Sequence, residues 1–152
     1  MSKRGLKYGF VGLLLFGCLN CAAEDLKIVV LDSKDGHALK GKLVCIMPPV
    51  NPREPIVMEQ SRVCHRTDSS GTALFRLMDP APELVNIIFA SDGLVPCFSP
   101  QSFVVADAMK IGMVAKNTCG DASTDTTETG EVVLFGHQKG IKEALDSVRN
   151  EF

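Results

Sequence analysis

The chain has no tryptophan and one tyrosine in 152 residues. Several constellations that carry chemistry are missing too. There is no Gly-x-Ser-x-Gly elbow, which excludes the exposed serine nucleophile of that hydrolase type. No glycine-rich phosphate loop is present, so the motif-borne nucleotide cradles are excluded. Cys18-x-x-Cys21 lies in an N-terminal leader, and beyond it no Cys-x-x-Cys or His-x-x-x-His spacing occurs; a structural zinc site of the usual spacing is therefore not expected. Clustered lysine and arginine are lacking. Thirteen of the sixteen basic residues and all eighteen acidic residues follow position 23, a net charge of −5 that argues against a nucleic-acid or anionic-membrane surface.

The longest apolar run is Gly9 to Leu19, well short of the roughly twenty residues that span a bilayer. It follows Lys3, Arg4 and Lys7 and precedes Cys21-Ala22-Ala23. Basic start, apolar core and small residues form a signal peptide over residues 1–23, with cleavage between Ala23 and Glu24. Leu15-Phe16-Gly17-Cys18 resembles a bacterial lipobox, with Phe16 departing from the small or β-branched residue of that pattern. Lipidation at Cys18 is the alternative fate of this segment. Either way the chain is expected to be extracytoplasmic, periplasmic or secreted, with no membrane span in its mature part.

What is present reads as strands and turns. Arg66-Thr67-Asp68-Ser69-Ser70-Gly71 is a tight polar turn feeding Thr72 to Leu77, where Ala73, Phe75 and Leu77 alternate with Thr72, Leu74 and Arg76. That period is a half-buried strand. Asp32-Ser33-Lys34-Asp35-Gly36 separates two further apolar runs, Leu26–Leu31 and Leu43–Met47. On the first, Leu26, Ile28 and Val30 face one way and Val29 and Leu31 the other; both faces are apolar, so this strand is expected to be covered on both sides. On the second, Val44 and Ile46 face the core and Leu43, Cys45 and Met47 face away. Ile56–His65 is a weaker strand, and Leu84–Ala90 a strong one. Phe103–Val105 leads into a short helical turn through Lys110; Gly112–Ala115 is extended. Asp121–Gly130 is polar and expected to be mobile. Glu131–Phe135 is the last strand. Ile141, Ala144, Leu145, Val148 and Phe152 then recur at helical spacing.

These segments predict an all-β sandwich of about seven strands with a short C-terminal amphipathic helix. The division is 24–116 for the sandwich, 117–130 for a mobile loop and 131–152 for the last strand and helix. Gly36-x-x-Leu39-x-Gly41-x-x-Val44-x-Ile46 and Thr67-Asp68-x-x-Gly71-x-Ala73-x-Phe75 resemble the carboxypeptidase regulatory-like or Cna-B-like domains. Those are prealbumin-like, Ig-like Greek-key sandwiches related in shape to transthyretin. The later Gly112–Gly120 and Gly130–Phe135 stretches resemble uncharacterised exported bacterial proteins of this type. The resemblance implies a fold and a compartment. It implies no activity, because the chain lacks the terminal Tyr-Arg-Gly-Ser of the transthyretin-like hydrolases and ends in Arg149-Asn150-Glu151-Phe152.

Four cysteines remain after cleavage: Cys45, Cys64, Cys97 and Cys119. An even count in an exported chain points to disulfides. Four cysteines allow three pairings; 97–119 and 45–64 are favoured, the latter because both residues fall on neighbouring strands and, by alternation, on one side. Cys64 and His65 are adjacent and so point to opposite faces, which prevents them from sharing an ion. Asp32, Asp35 and Asp68 sit in turns, where they cap amides or ligate calcium. No metal or cofactor is expected.

Two proline-marked loops, Pro48–Pro55 and Pro80–Pro82, are the candidate contact surfaces. The expected role is a non-enzymatic binding or structural module at the bacterial cell envelope, its partner an envelope protein or a glycan. Two alternatives stand beside it: an accessory subunit docking through its C-terminal helix, and a small metal-dependent or hydrolytic enzyme using His65 or His37.

Overall fold

The computed structural model describes residues 25–48, 62–91 and 93–140. The expected signal peptide with Cys18, Ala23 and Glu24, residues 49–61 with most of the proline-rich stretch, and the expected C-terminal helix from Ile141 lie outside the described residues. The described chain is mostly strand, in the order β1 (Asp25–Asp32), β2 (Leu43–Met47), β3 (Val63–Arg66), β4 (Thr72–Arg76), β5 (Leu84–Phe89), β6 (Leu94–Pro96), β7 (Phe98–Ser99), β8 (Ser102–Val104), helix α1 (Val105–Ile111), β9 (Met113–Val114), β10 (Lys116–Asn117) and β11 (Glu131–Gln138).

Two sheets make a β-sandwich. One runs β4-β1-β11-β6, with β9 also on β11; the other runs β3-β2-β5-β8, and β7 and β10 form a small two-stranded ribbon. Eleven strands replace the seven expected. The additional ones are two or three residues long and lie between Leu94 and Asn117. There Pro96 and Pro100 remove ladder donors, and α1 takes up part of the chain.

β1 is fully buried on one side and only half covered on the other, rather than covered on both. Leu26, Ile28 and Val30 are fully buried, whereas Lys27, Val29 and Leu31 are half-buried. Val132 and Leu134 of β11 and Ala73 and Phe75 of β4 join them from the same sheet; Val44, Val85, Ile87 and Phe103 close the core from the other. Each such side chain contributes roughly 1.5–3 kcal/mol when fully buried. Helix α1 adds Val105 and Ala108 to this core.

β11 is the pivot of the first sheet. It pairs parallel to β1, Lys27 with Glu131 through Asp32 with Gly136, and antiparallel to β6. Val133 and Phe135, on its other face, are also buried. The sandwich thus runs through residue 138. The start of the polar tract is anchored beside this face. Asn117 Nδ2 donates to the Ser33 and Ala122 carbonyls at 2.7 and 2.9 Å, and the Ala122 N–H donates to the Ser33 carbonyl. Further along, Glu128 pairs with Lys27 at 3.2 Å.

The turn before β4 folds as its residues dictate. Asp68 Oδ1 accepts the Ser70 and Thr72 N–H groups at 2.8 and 3.0 Å and the Ser70 hydroxyl at 2.6 Å. Gly71 has φ +75°, and a Cβ there would sit 2.7 Å from the Val30 carbonyl oxygen. Only glycine lets this turn close against β1.

Candidate functional site

Both cysteine pairs are bridged. Cys45 and Cys64 stand directly opposite each other in the β2–β3 register, with Cα atoms 4.0 Å apart. Cys97 and Cys119 are joined with Cα atoms 5.3 Å apart. The second bridge ties the entry to β7 to the loop leaving β10. Alternation also separates Cys64 from its neighbour: the thiol is committed to the bridge, while the His65 ring meets Phe75 edge-on, with centroids 4.9 Å apart.

The three histidines sit in different parts of the fold. His65 is on β3, at the edge of its sheet. His137 is on β11, opposite Val95. His37 follows the β1 turn, where its Nδ1 bonds to Asp35 Oδ1 and its N–H donates to the same oxygen at 3.1 Å. These bonds, the backbone N–H first, hold the Asp35 carboxyl below its ordinary pKa of 3.8. Asp32 uses one oxygen to accept the Lys34 N–H at 2.8 Å. Among the described residues, Asp32, Asp35 and His37 are the one group of three whose potential ligand atoms lie within 4.8 Å of one another. The sequence places Asp32, Asp35 and Asp68 in turns, and the structure brings His37 beside the first two, a neighbour that the short Asp-x-x-Asp-x-His spacing could have revealed. Asp68 instead caps its own turn, and that bonding, the Ser70 hydroxyl first, depresses its pKa below 3.8. The Asp35–His37 pair is well exposed to solvent, and water weakens electrostatic work at such a site.

The described ends of the two proline-marked loops do come together. The end of β2 (Ile46, Met47), Pro48, Val63 at the start of β3, Arg76 at the end of β4, Leu77, Met78 and Pro82 line one cleft of about 340 Å³. It is the low end of the size range of small-molecule pockets. Three separate stretches build it. β2 and β3 are hydrogen-bonded neighbours, and their paired ends supply one wall. β4 continues past its last paired residue, Arg76 opposite Asp25, so Leu77 and Met78 supply another. The Asp79–Pro80 peptide is cis, and Pro82 completes the rim.

The cleft is apolar and open. Met78 is 78% exposed and Val63 50%, whereas Leu77 is buried below them. Arg76 is its one charged lining residue among those described. Its Nε faces Asp25 Oδ1 at 3.5 Å, a long contact at the exposed end of the sheet. No helix among the described residues is long and apolar enough to cross a membrane. Comparison of the chain with family models, with curated proteins and with solved structures finds no match.

Proposed function

We propose that the chain is an exported β-sandwich that works by binding, not catalysis, at the bacterial cell envelope. Its contact surface is the end of the sandwich that carries Pro48 and Pro82. The observation that carries this reading is the apolar cleft between those two loops, with Met78 and Val63 exposed on its rim. Exposed apolar side chains gathered in one concavity mark interaction sites. Two disulfides support an oxidising compartment, and the basic-apolar leader supports export. The prealbumin-like, carboxypeptidase regulatory-like kinship belongs to the same proposal and rests on the turn and core residues named above.

The test is photo-crosslinking in intact cells, with a photoreactive amino acid at position 78 in one variant and at position 74 in another. Leu74 is 57% exposed but lies outside the cleft. The expected result is an envelope adduct from position 78 and none from position 74. No adduct from position 78, or the same adduct from both, overturns the assignment of this surface.

A further inference from the structure

Resting on that reading, we infer that the cleft recognises a protein segment which presents one or two aliphatic side chains next to a carboxylate. Three observations select this chemistry. The first is the lining: among the described residues, Ile46, Met47, Val63 and Met78 offer carbon and sulfur, and Arg76 is the one charged group. Methionine side chains are flexible and polarisable, so Met47 and Met78 adapt to aliphatic groups of different shape.

The second is openness. The rim residues Met78 and Val63 are mostly or half exposed. Small ligands are usually enclosed over most of their surface, which this cleft does not do. A side chain projecting from a polypeptide needs only such an open socket. The third is the state of Arg76. Its guanidinium has five donors in a planar fork, and its ion pair uses Nε alone, at 3.5 Å from Asp25. The two terminal nitrogens have no protein partner among the described residues. A fork of this kind at the edge of an apolar socket matches a carboxylate held beside the aliphatic anchor.

The experiment uses the purified protein with ¹³C-labelled methionine methyl groups, titrated with N-acetyl-Leu-Leu-Glu-amide and with its Gln counterpart. The methyl signals of Met47 and Met78 should move, while those of Met109 and Met113, packed against the core, stay in place. The Glu peptide should bind about fivefold more tightly than the Gln peptide, the size of an exposed ion pair. Arg76→Gln should abolish that preference and keep the methyl shifts. Met78→Asp should abolish binding of both peptides; its native-like spectrum elsewhere would show that the fold is kept. The inference is overturned if Met47 and Met78 do not respond, if the Glu preference is missing, or if it survives Arg76→Gln. Tighter binding of decanoate than of the Glu peptide to the same methyls also overturns it, in favour of a lipid. An envelope adduct from position 78 together with no peptide response would uphold the binding role and overturn this recognition chemistry alone.

Discussion

Removing the Cys97–Cys119 bridge should cost about 3 kcal/mol. The bridge closes a loop of sequence separation 22, and chain entropy alone assigns roughly 3.4 kcal/mol to a closure of that length. The Cys45–Cys64 bridge spans 19 and comes to roughly 3.2 kcal/mol on the same relation. The two loops neither overlap nor nest, so their losses should add to about 6.6 kcal/mol. That is comparable to the lower part of the roughly 5–15 kcal/mol that keeps a typical domain folded. Each Cys→Ala pair should lower the melting temperature by about 10 °C, and the quadruple variant should be largely unfolded at 37 °C. The assay is urea unfolding followed by far-UV circular dichroism. Fluorescence is a poor probe, because the chain has no tryptophan and its one tyrosine, Tyr8, precedes the sandwich. The urea slope should rise with each bridge removed, as the denatured chain expands. Losses under about 1 kcal/mol for either pair, or a second bridge that costs nothing once the first is gone, would refute independent entropic closure.

Gly120→Ala places a Cβ 2.1 Å from the Ser33 carbonyl oxygen and should destabilise by about 1–3 kcal/mol in the same urea assay. Gly41→Ala meets nothing within 4 Å but has φ +73°, so it should lose only the backbone term of about 1–2 kcal/mol. Phe75→Ala empties a fully buried site and should cost about 3–5 kcal/mol, with the His65 ring resonances moving as their edge contact is lost. Asp68 has a folded pKa below its ordinary 3.8, so its contribution is present above about pH 4 and lost as pH falls through the folded value. Asp68→Asn should therefore flatten that part of the acid-unfolding profile; an unchanged profile would show that the turn does not depend on the ionised carboxylate.

The legible parts of the fold are those encoded by neighbours in sequence. Ala73, Phe75 and Leu77 announce a buried face by alternation, and Asp68 with Gly71 announces a turn by its chemistry; on β1, Val29 and Leu31 make the second face look as buried as the first. The Cys45–Cys64 pairing is compatible with the same period, which puts both residues on one side of adjacent strands; the register then sets them opposite each other. The parallel pairing of β1 with β11 leaves no local mark: both strands are β-branched runs, and such runs look alike whichever neighbour they take. The short strands between Leu94 and Asn117 are obscured by prolines and by their own length. For the candidate site, the prolines mark the end of the molecule where the cleft lies. The socket itself is not visible in the sequence, because Met47, Val63 and Met78 lie on three separate stretches. His37 reads as an isolated imidazole because its bond to Asp35 depends on how one turn closes.

The place of β11 has a consequence for how the molecule is made. Its neighbour β1 is among the first of the sandwich to be synthesised, yet it must wait for Glu131–Gln138 before the middle of its sheet exists. Until then a row of unpaired amides and carbonyls along Lys27–Asp32 stays open to wrong partners. Under the export proposed above, a chain that crosses a membrane while still extended postpones that hazard to the far side.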